Sequence, residues 1–106
     1  MQRNYRRHPR VTCAAPVDVE GPKGSIRGYC RNLSQGGMFF VGPELPIGKT
    51  LQFWLELPNG KVTILGEVRY SHVYPEGEGF GVRFTRLTHI SLGLLNGFIA
   101  TAPGGA

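Results

Sequence analysis

Apolar residues at every second position constrain this chain more than any other feature of its sequence. Between positions 11 and 20 the odd-numbered residues are all apolar: Val11, Cys13, Ala15, Val17 and Val19. Positions 51–57 repeat the pattern with Leu51, Phe53, Leu55 and Leu57. Successive side chains of a β-strand point to opposite faces, so this period of two predicts strands that are half buried. We therefore expect an all-β framework.

Short strands separated by turn residues extend this pattern along the chain. The predicted strands cover residues 11–20, 26–32, 38–41, 51–57, 61–71 and 80–84. The 16 glycines and 8 prolines of the chain supply its turn signals. Pro16 places the first strand near an edge or a bulge, and Asn59-Gly60 predicts a type I′ hairpin turn. In strand 61–71 the pattern assigns one face to Val62, Ile64, Val68 and Tyr70, and the other to Glu67 and Arg69.

A short amphipathic helix is predicted after the last strand. Its apolar residues recur at helical spacing: Ile90, Leu94, Leu95, Phe98 and Ile99. Gly93 and Gly97 each weaken a helix by about 1 kcal/mol relative to alanine, so this helix needs packing against the sheet or one end of it. Six antiparallel strands and one helix fit a small barrel or a sandwich. We favour the six-stranded barrel, because closure removes strand edges that so short a chain cannot cover.

Positive charge is concentrated at the N-terminus. Residues 1–10 contain four arginines and no acidic residue, so they supply +4 of the net charge of +5. Such a segment attracts phosphate groups, although a solvated basic tail is the alternative interpretation. With 106 residues the chain is expected to form one domain. We expect a flexible arginine-rich arm at residues 1–10, a barrel with its helix at 11–100 and a disordered tail at 101–106.

The sequence gives no support to catalysis or metal binding. Residues 32–36 resemble a nucleophile elbow around Ser34, but Asn32 stands where the first glycine belongs and no helix is predicted to follow. The three histidines and two cysteines lack metal-ligand spacing, and no acidic pair is singled out for acid-base chemistry. We therefore expect no enzyme, no metal and no cofactor.

The pattern of apolar residues also argues against membrane insertion. The longest uninterrupted apolar run, residues 38–41, is far shorter than the roughly 20 residues of a spanning helix. No apolar stretch of a secretory signal follows the N-terminal arginines, so we expect a cytoplasmic protein. Cys13 and Cys30 are then expected to be free thiols that pack as small buried apolar residues.

Two short motifs remain, and their order matters. Arg6 and Arg10 have an Arg-x-x-x-Arg spacing just before the first predicted strand, and Asn32-x-Ser34-x-x-Gly37 follows about twenty residues later. Together they resemble the PilZ domain family, whose signature combines RxxxR with a [D/N]xSxxG loop in this order. The similarity extends to Gly48, to residues 57–60 and to residues 81–84.

This resemblance implies a six-stranded β-barrel with a C-terminal helix that binds the second messenger cyclic di-GMP. It implies that Arg6 and Arg10 clamp the ligand, that Arg7 is an additional contact, and that Asn32 and Ser34 hydrogen-bond a guanine or a phosphate. Gly37 would let the backbone approach the ligand, and Gly36 is a second candidate for an unusual backbone angle. Tyr70 and Arg83 are further candidates for the edge of the site, against the alternatives of a core or surface tyrosine and an exposed strand arginine.

The implied function is a bacterial cyclic di-GMP receptor. Binding would order the arginine arm and present a changed surface to a downstream partner protein, or change the oligomeric state. One alternative is a PilZ-like adaptor that binds a protein through its barrel and no nucleotide. Another is a small nucleic-acid-binding barrel that stacks bases on aromatic side chains such as Trp54. Nearly neutral charge outside the arm disfavours a nucleic-acid polymer as partner.

Overall fold

The computed structural model describes residues 10–75 and 77–101, in which seven strands precede one helix. They are β1 (Val11–Thr12), β2 (Pro16–Gly21), β3 (Gly24–Leu33), β4 (Gly37–Val41), β5 (Thr50–Leu57), β6 (Gly60–Tyr74), β7 (Gly77–Leu87) and α1 (His89–Thr101). The strands pair antiparallel in the order β3-β2-β5-β6-β7-β4, and pairing of β4 with β3 closes the ring. The predicted six-stranded barrel is confirmed, with β1 as one extra strand.

The first predicted strand, residues 11–20, is interrupted. Both of its parts pair with β3, since Val11 lies opposite Leu33 and Pro16 opposite Tyr29. Residues 13–15 bulge between them, and regular pairing resumes at Pro16, whose nitrogen has no hydrogen to donate to a ladder. The predicted bulge is confirmed, and the apolar odd positions of this segment are all buried.

The interior of the barrel is filled by the apolar faces of the strands. Phe40, Phe53 and Phe80 are the largest of the fully buried side chains. Phe40 and Phe53 meet edge to face, with ring centroids 6.4 Å apart. Each buried side chain of this size contributes roughly 1.5–3 kcal/mol relative to an exposed one, so this core is the main stabilising feature of the fold.

The helix α1 packs against β6, as predicted, but with a different buried face. Leu95 is fully buried, whereas Ile90 is 78% exposed and Ser91 is buried in its place. The Ser91 hydroxyl accepts the Thr63 backbone N–H at 2.9 Å, and Thr88 caps the helix by accepting the Ser91 N–H at 3.0 Å. Because Ser91 lies one turn before Leu95, it takes the inward position that the apolar pattern assigned to Ile90.

The hairpin between β5 and β6 is confirmed, but its turn lies one residue earlier than predicted. Leu57 pairs with Gly60, so Pro58 and Asn59 are the central residues. A proline fixes φ near −65°, which excludes the predicted type I′ turn. The positive φ falls instead on Gly60, at 149°.

A bulge in β6 changes the predicted faces of that strand. Val68 lies opposite Val82 and Tyr70 opposite Gly81, so Arg69 is an extra residue between them. Tyr70 therefore lies on the outer face of the barrel, and its predicted place beside Val62, Ile64 and Val68 is wrong.

Only Arg10 of the predicted arm and Thr101 of the predicted tail lie within the described residues. Arg10, the last residue of the predicted arm, is exposed, and Thr101 belongs to α1 instead of to the predicted tail. Residues 1–9 and 102–106, and with them the predictions for the arm and the tail, lie outside the described residues. Within the described part of the chain, no helix has the length and apolar character needed to cross a bilayer.

Candidate functional site on the outer face of the barrel

Four residues form a row across the outer face of the barrel. Asn32 of β3 pairs with Phe39 of β4, Phe39 pairs with Gly81 of β7, and Gly81 pairs with Tyr70 of β6. Neighbouring strands lie about 4.8 Å apart, so the backbones of Asn32 and Tyr70 are roughly 14 Å from each other. We call Asn32, Phe39, Gly81 and Tyr70 the outer-face row.

Bulges bring both ends of this row to the outside. In β3 the pairing shifts between Cys30 and Asn32, so Arg31 is an extra residue, as Arg69 is in β6. Cys30 faces the core and is fully buried. Strict alternation would have turned Asn32 inward with it, and the bulge reverses that direction.

The two sequence motifs meet at Asn32. The guanidinium Nη1 of Arg10 donates a hydrogen bond to Asn32 Oδ1 at 3.1 Å. Arg10 reaches this position because it immediately precedes β1, in which Thr12 pairs with Asn32. Two predicted site residues separated by 22 positions are therefore in direct contact. Arg6 and Arg7, the other predicted arginines, lie outside the described residues.

Ser34 shapes the turn between β3 and β4. Its hydroxyl donates to the Gly37 carbonyl and accepts the Gly36 N–H, both at 3.3 Å, and its own N–H donates to Gly37 at 2.9 Å. The side chain is 7% exposed. Ser34 thus makes the local backbone bonds of a serine turn, whereas Asn32 bonds Arg10 instead of its own backbone.

The glycines of this turn serve packing more than unusual backbone angles. Gly37 pairs with Arg83, and a Cβ at position 37 would overlap the Val82 carbonyl oxygen of β7. The positive-φ glycines of the described chain are Gly24, Gly48, Gly60 and Gly77. Gly36 and Gly37 are not among them, so the prediction of an unusual backbone angle at Gly36 is wrong. The Gly36 carbonyl accepts the Phe84 N–H at 2.8 Å, which ties the turn to β7.

An aromatic cluster covers the middle of the outer-face row. The Tyr70 ring lies across Gly81, where any Cβ would overlap it, and its centroid is 6.2 Å from that of Phe39. His72 meets Phe39 edge to face at 6.4 Å. Phe39 is only 2% exposed, whereas Tyr70 is 49% exposed and presents its ring to solvent. Tyr70 is therefore a surface aromatic at the predicted site, not a core residue.

Sequence reasoning missed Phe39 as a member of this face. All four residues of the run 38–41 are apolar, so the alternation that reveals an outward side chain is absent. A usable signal lies in β7, where Gly79 and Gly81 leave room for rings: a Cβ at Gly79 would overlap Phe39. Glycines at every second position of a strand indicate a neighbouring bulky group on that face.

Arginines on β6 and β7 share one carboxylate beside the row. Arg83 Nη2 lies 3.2 Å and Arg69 Nη1 3.8 Å from Oε1 of Glu67. The Arg83 side chain is 57% exposed, and that of Arg69 is 49% exposed. Exposed ion pairs of this kind contribute at most about 1 kcal/mol, so either guanidinium can exchange Glu67 for another anion at little cost. Arg83 was a predicted candidate, and Arg69 was not singled out.

The described residues provide no site for metal-dependent chemistry. No group of three or more histidine, cysteine, aspartate or glutamate side chains within them is placed to hold a metal ion. What the outer face does present is guanidinium groups, one amide and one exposed ring. This combination suits a ligand with phosphate groups and flat bases.

Comparison with known proteins agrees with this description. Residues 4–101 match the family model described as PilZ domain. No curated protein sequence matches the chain.

Among solved structures, the chain is similar to the Bacillus subtilis inhibitor of motility MotI/DgrA, with 18% identity over 92% of this chain and 51% of that one, and a TM-score of 0.80. It is similar to Escherichia coli YcgR in complex with c-di-GMP, with 17% identity, 92% and 46% coverage and a TM-score of 0.81. The PilZ domain of YcgR with c-di-GMP gives 14% identity, 93% and 92% coverage and a TM-score of 0.76.

These structural likenesses concern the fold, because the identities are low. The chain spans about half the length of full MotI and YcgR, and nearly all of the separate YcgR domain.

Proposed function

Because the chain belongs to the PilZ domain family, we propose that it binds cyclic di-GMP on the outer face of its barrel, beside Arg10 and the outer-face row. The observation that carries this proposal is the 3.1 Å hydrogen bond between Arg10 Nη1 and Asn32 Oδ1. It joins the arginine motif and the loop motif in one place. The structures of YcgR and of its PilZ domain, which share this fold, are complexes with c-di-GMP.

The side chains on this face match the chemistry of the ligand. Cyclic di-GMP presents two phosphates and two guanines, and a guanidinium can fork onto either a phosphate or a guanine edge. Arg10 supplies one such group, and Arg6 and Arg7 would add others from the same segment. The Asn32 amide offers both an acceptor and donors to a guanine or a phosphate.

The remaining predicted residues have supporting roles in this proposal. Ser34, Gly36 and Gly37 hold the turn that positions Asn32, through the bonds described above. The half-exposed Tyr70 ring offers a surface on which a base can stack. Arg83, which shares Glu67 with Arg69, is available to a phosphate at the edge of the site.

Binding would also provide the signal. Contacts from Arg6, Arg7 and Arg10 to one ligand would order the arm over the barrel, at the cost of chain entropy. The covered outer face would then differ from the free one, and a downstream partner protein would read that difference. The output is a partner contact or a change of oligomeric state, and the protein contributes no catalytic step.

Calorimetric titration of cyclic di-GMP at physiological salt tests the proposal. We expect saturable binding by the wild-type protein and its loss in the double variant Arg6→Ala/Arg10→Ala. Arg27→Ala is the control, because Arg27 is an exposed arginine that pairs with Asp18 at 3.1 Å, away from the outer-face row. This control should bind as the wild type does.

Competition separates the proposed ligand from other anions. Neither GMP nor short oligonucleotides should displace cyclic di-GMP, and binding should not fall steeply with salt. If the wild-type protein binds no cyclic di-GMP at high micromolar concentrations, the proposal is wrong, and the adaptor function on the same barrel takes its place.

A further inference from the structure

Cys13 and Cys30 lie on neighbouring segments of the barrel, and Cys13 follows Arg10 by three residues. The Cys13 N–H donates to the Arg31 carbonyl at 3.1 Å, and the Cys30 N–H donates to the Ala15 carbonyl at 2.8 Å. Both side chains belong to the same core cluster, and each thiol is the main influence on the pKa of the other. Cys13 is thus bonded to Arg31 and Cys30 to Ala15, so the two cysteines are diagonal neighbours on adjacent strand segments. A disulfide spans Cα separations of up to about 7 Å, and both thiols are free to form one.

Only one of the two thiols can be reached from outside. Cys13 forms part of the wall of an open groove of about 500 Å³, together with Pro16, Leu57 and Phe98. Cys13 is 7% exposed, whereas Cys30 is fully buried. A small oxidant that enters the groove therefore meets Cys13 first.

The two thiols also differ in their pKa values. The interaction with the Cys30 thiol lowers the pKa of Cys13 to about 7, with help from the Ala15 N–H and against the opposing effect of burial. The interaction with Cys13 and complete burial raise the pKa of Cys30. Glu56 is the other ionisable residue in the wall of the groove. Since the thiolate is the reactive form, Cys13 is the nucleophile and Cys30 the resolving thiol.

We propose that Cys13 and Cys30 are a redox-active pair that hydrogen peroxide converts into an intramolecular disulfide. The Cys13 sulfur attacks one peroxide oxygen, the O–O bond breaks, and Cys13 becomes a sulfenic acid. The other oxygen takes up the proton given up by the Cys13 thiol and leaves as water. The Cys30 sulfur then attacks the Cys13 sulfur, the S–O bond breaks, and the hydroxyl leaves with the Cys30 proton as a second water. Two thiols are oxidised, and one peroxide is reduced to two waters.

The disulfide would act on the contact between Arg10 and Asn32. Cys13 follows Arg10 by three residues, and the Cys30 thiol donates to the Asn32 carbonyl at 3.1 Å. Oxidation removes the hydrogen of that bond and pulls the bulge at residues 13–15 toward β3. Both partners of the Arg10–Asn32 contact are therefore displaced. This part of the inference rests on the proposed function, and it predicts weaker binding of cyclic di-GMP by the oxidised protein.

Mass spectrometry tests the chemistry without any ligand. Reduced protein treated with peroxide should lose about 2 Da, the mass of two hydrogens, and digestion should yield one linked peptide containing Cys13 and Cys30. In Cys30→Ser the sulfenic acid at Cys13 should persist and be trapped by dimedone. In Cys13→Ser the buried Cys30 should stay unmodified. Disulfide-linked dimers, or no loss of mass in the wild-type protein, would overturn the proposal. Both results are measured on the wild-type protein, so they do not depend on whether a variant folds.

Titration of cyclic di-GMP into the reduced and the oxidised protein tests the coupling. We expect about fivefold weaker binding after oxidation, the effect of one lost hydrogen bond. The peroxide-treated double variant Cys13→Ala/Cys30→Ala should not change its affinity. Equal affinities of both wild-type forms would overturn the coupling. If the reduced protein binds no cyclic di-GMP, the proposed function fails, whereas the mass result still decides whether the pair is redox-active.

Discussion

Asn32 is the residue that connects the arginine segment to the barrel. Its Oδ1 accepts from Arg10, and the bulge at Arg31 turns it to the outer face. The family signature has aspartate or asparagine here, and a carboxylate accepts both N–H groups of a guanine edge where an amide offers one acceptor. The amide therefore retains the contact with Arg10 but has less capacity to accept from guanine.

We predict that Asn32→Ala weakens cyclic di-GMP binding about fivefold or more, because one hydrogen-bonding side chain is lost. Asn32→Asp should bind at least as tightly as the wild type. Both changes lie on the surface and should alter the free energy of unfolding by less than about 0.5 kcal/mol. Calorimetry gives the affinities, and urea denaturation gives the stabilities. Unchanged binding by Asn32→Ala would remove Asn32 from the site.

At the scale of elements, the face that α1 turns toward the barrel decides which of its residues are stabilising. Leu95 is fully buried in the core, whereas Ile90 is 78% exposed, although the sequence pattern treats them alike. We predict that Leu95→Ala lowers the free energy of unfolding by about 2–5 kcal/mol, since it leaves a cavity. Ile90→Ala should change it by no more than about 0.5 kcal/mol. Urea denaturation of both variants checks this. Equal losses in the free energy of unfolding would mean that the helix turns a different face toward the barrel.

The sequence predicts the strands well where one face is polar. The alternation in residues 51–57 matches β5, in which Phe53 and Leu55 are fully buried between partly exposed neighbours. The closed barrel and the helix follow from the number of such segments. The existence of the β5–β6 hairpin was predictable because proline, asparagine and glycine occur together there, although the position of its turn was not.

The details of the site could not be predicted from a period of two. A single extra residue reverses every later side chain of a strand, and the pairing partners that make Arg31 and Arg69 the extra residues are distant in sequence. Tyr70 was consequently assigned to the inner face. Phe39 was not recognised, because an entirely apolar run has no visible alternation.

At the scale of the whole molecule, binding and folding are linked. A ligand that binds only the folded state stabilises it by about 2.7 kcal/mol when present at 100 times its dissociation constant. We therefore predict that cyclic di-GMP raises the urea midpoint of the wild-type protein and leaves that of Arg6→Ala/Arg10→Ala unchanged. GMP at the same concentration serves as the control. A similar shift in the double variant would show that the ligand binds away from the arginine segment.

The closure of the barrel has a consequence for how another protein can recognise this one. Each of the six barrel strands has a neighbour on both sides, because β4 pairs with both β3 and β7. Most N–H and C=O groups of the described barrel strands are thus unavailable to an incoming polypeptide that would extend the sheet. The exception is the end of β6, where residues 70–74 pair with β7 alone among the described residues. Elsewhere a partner must recognise exposed side chains. Relatives that keep the same backbone can therefore change such partners by exchanging surface residues alone.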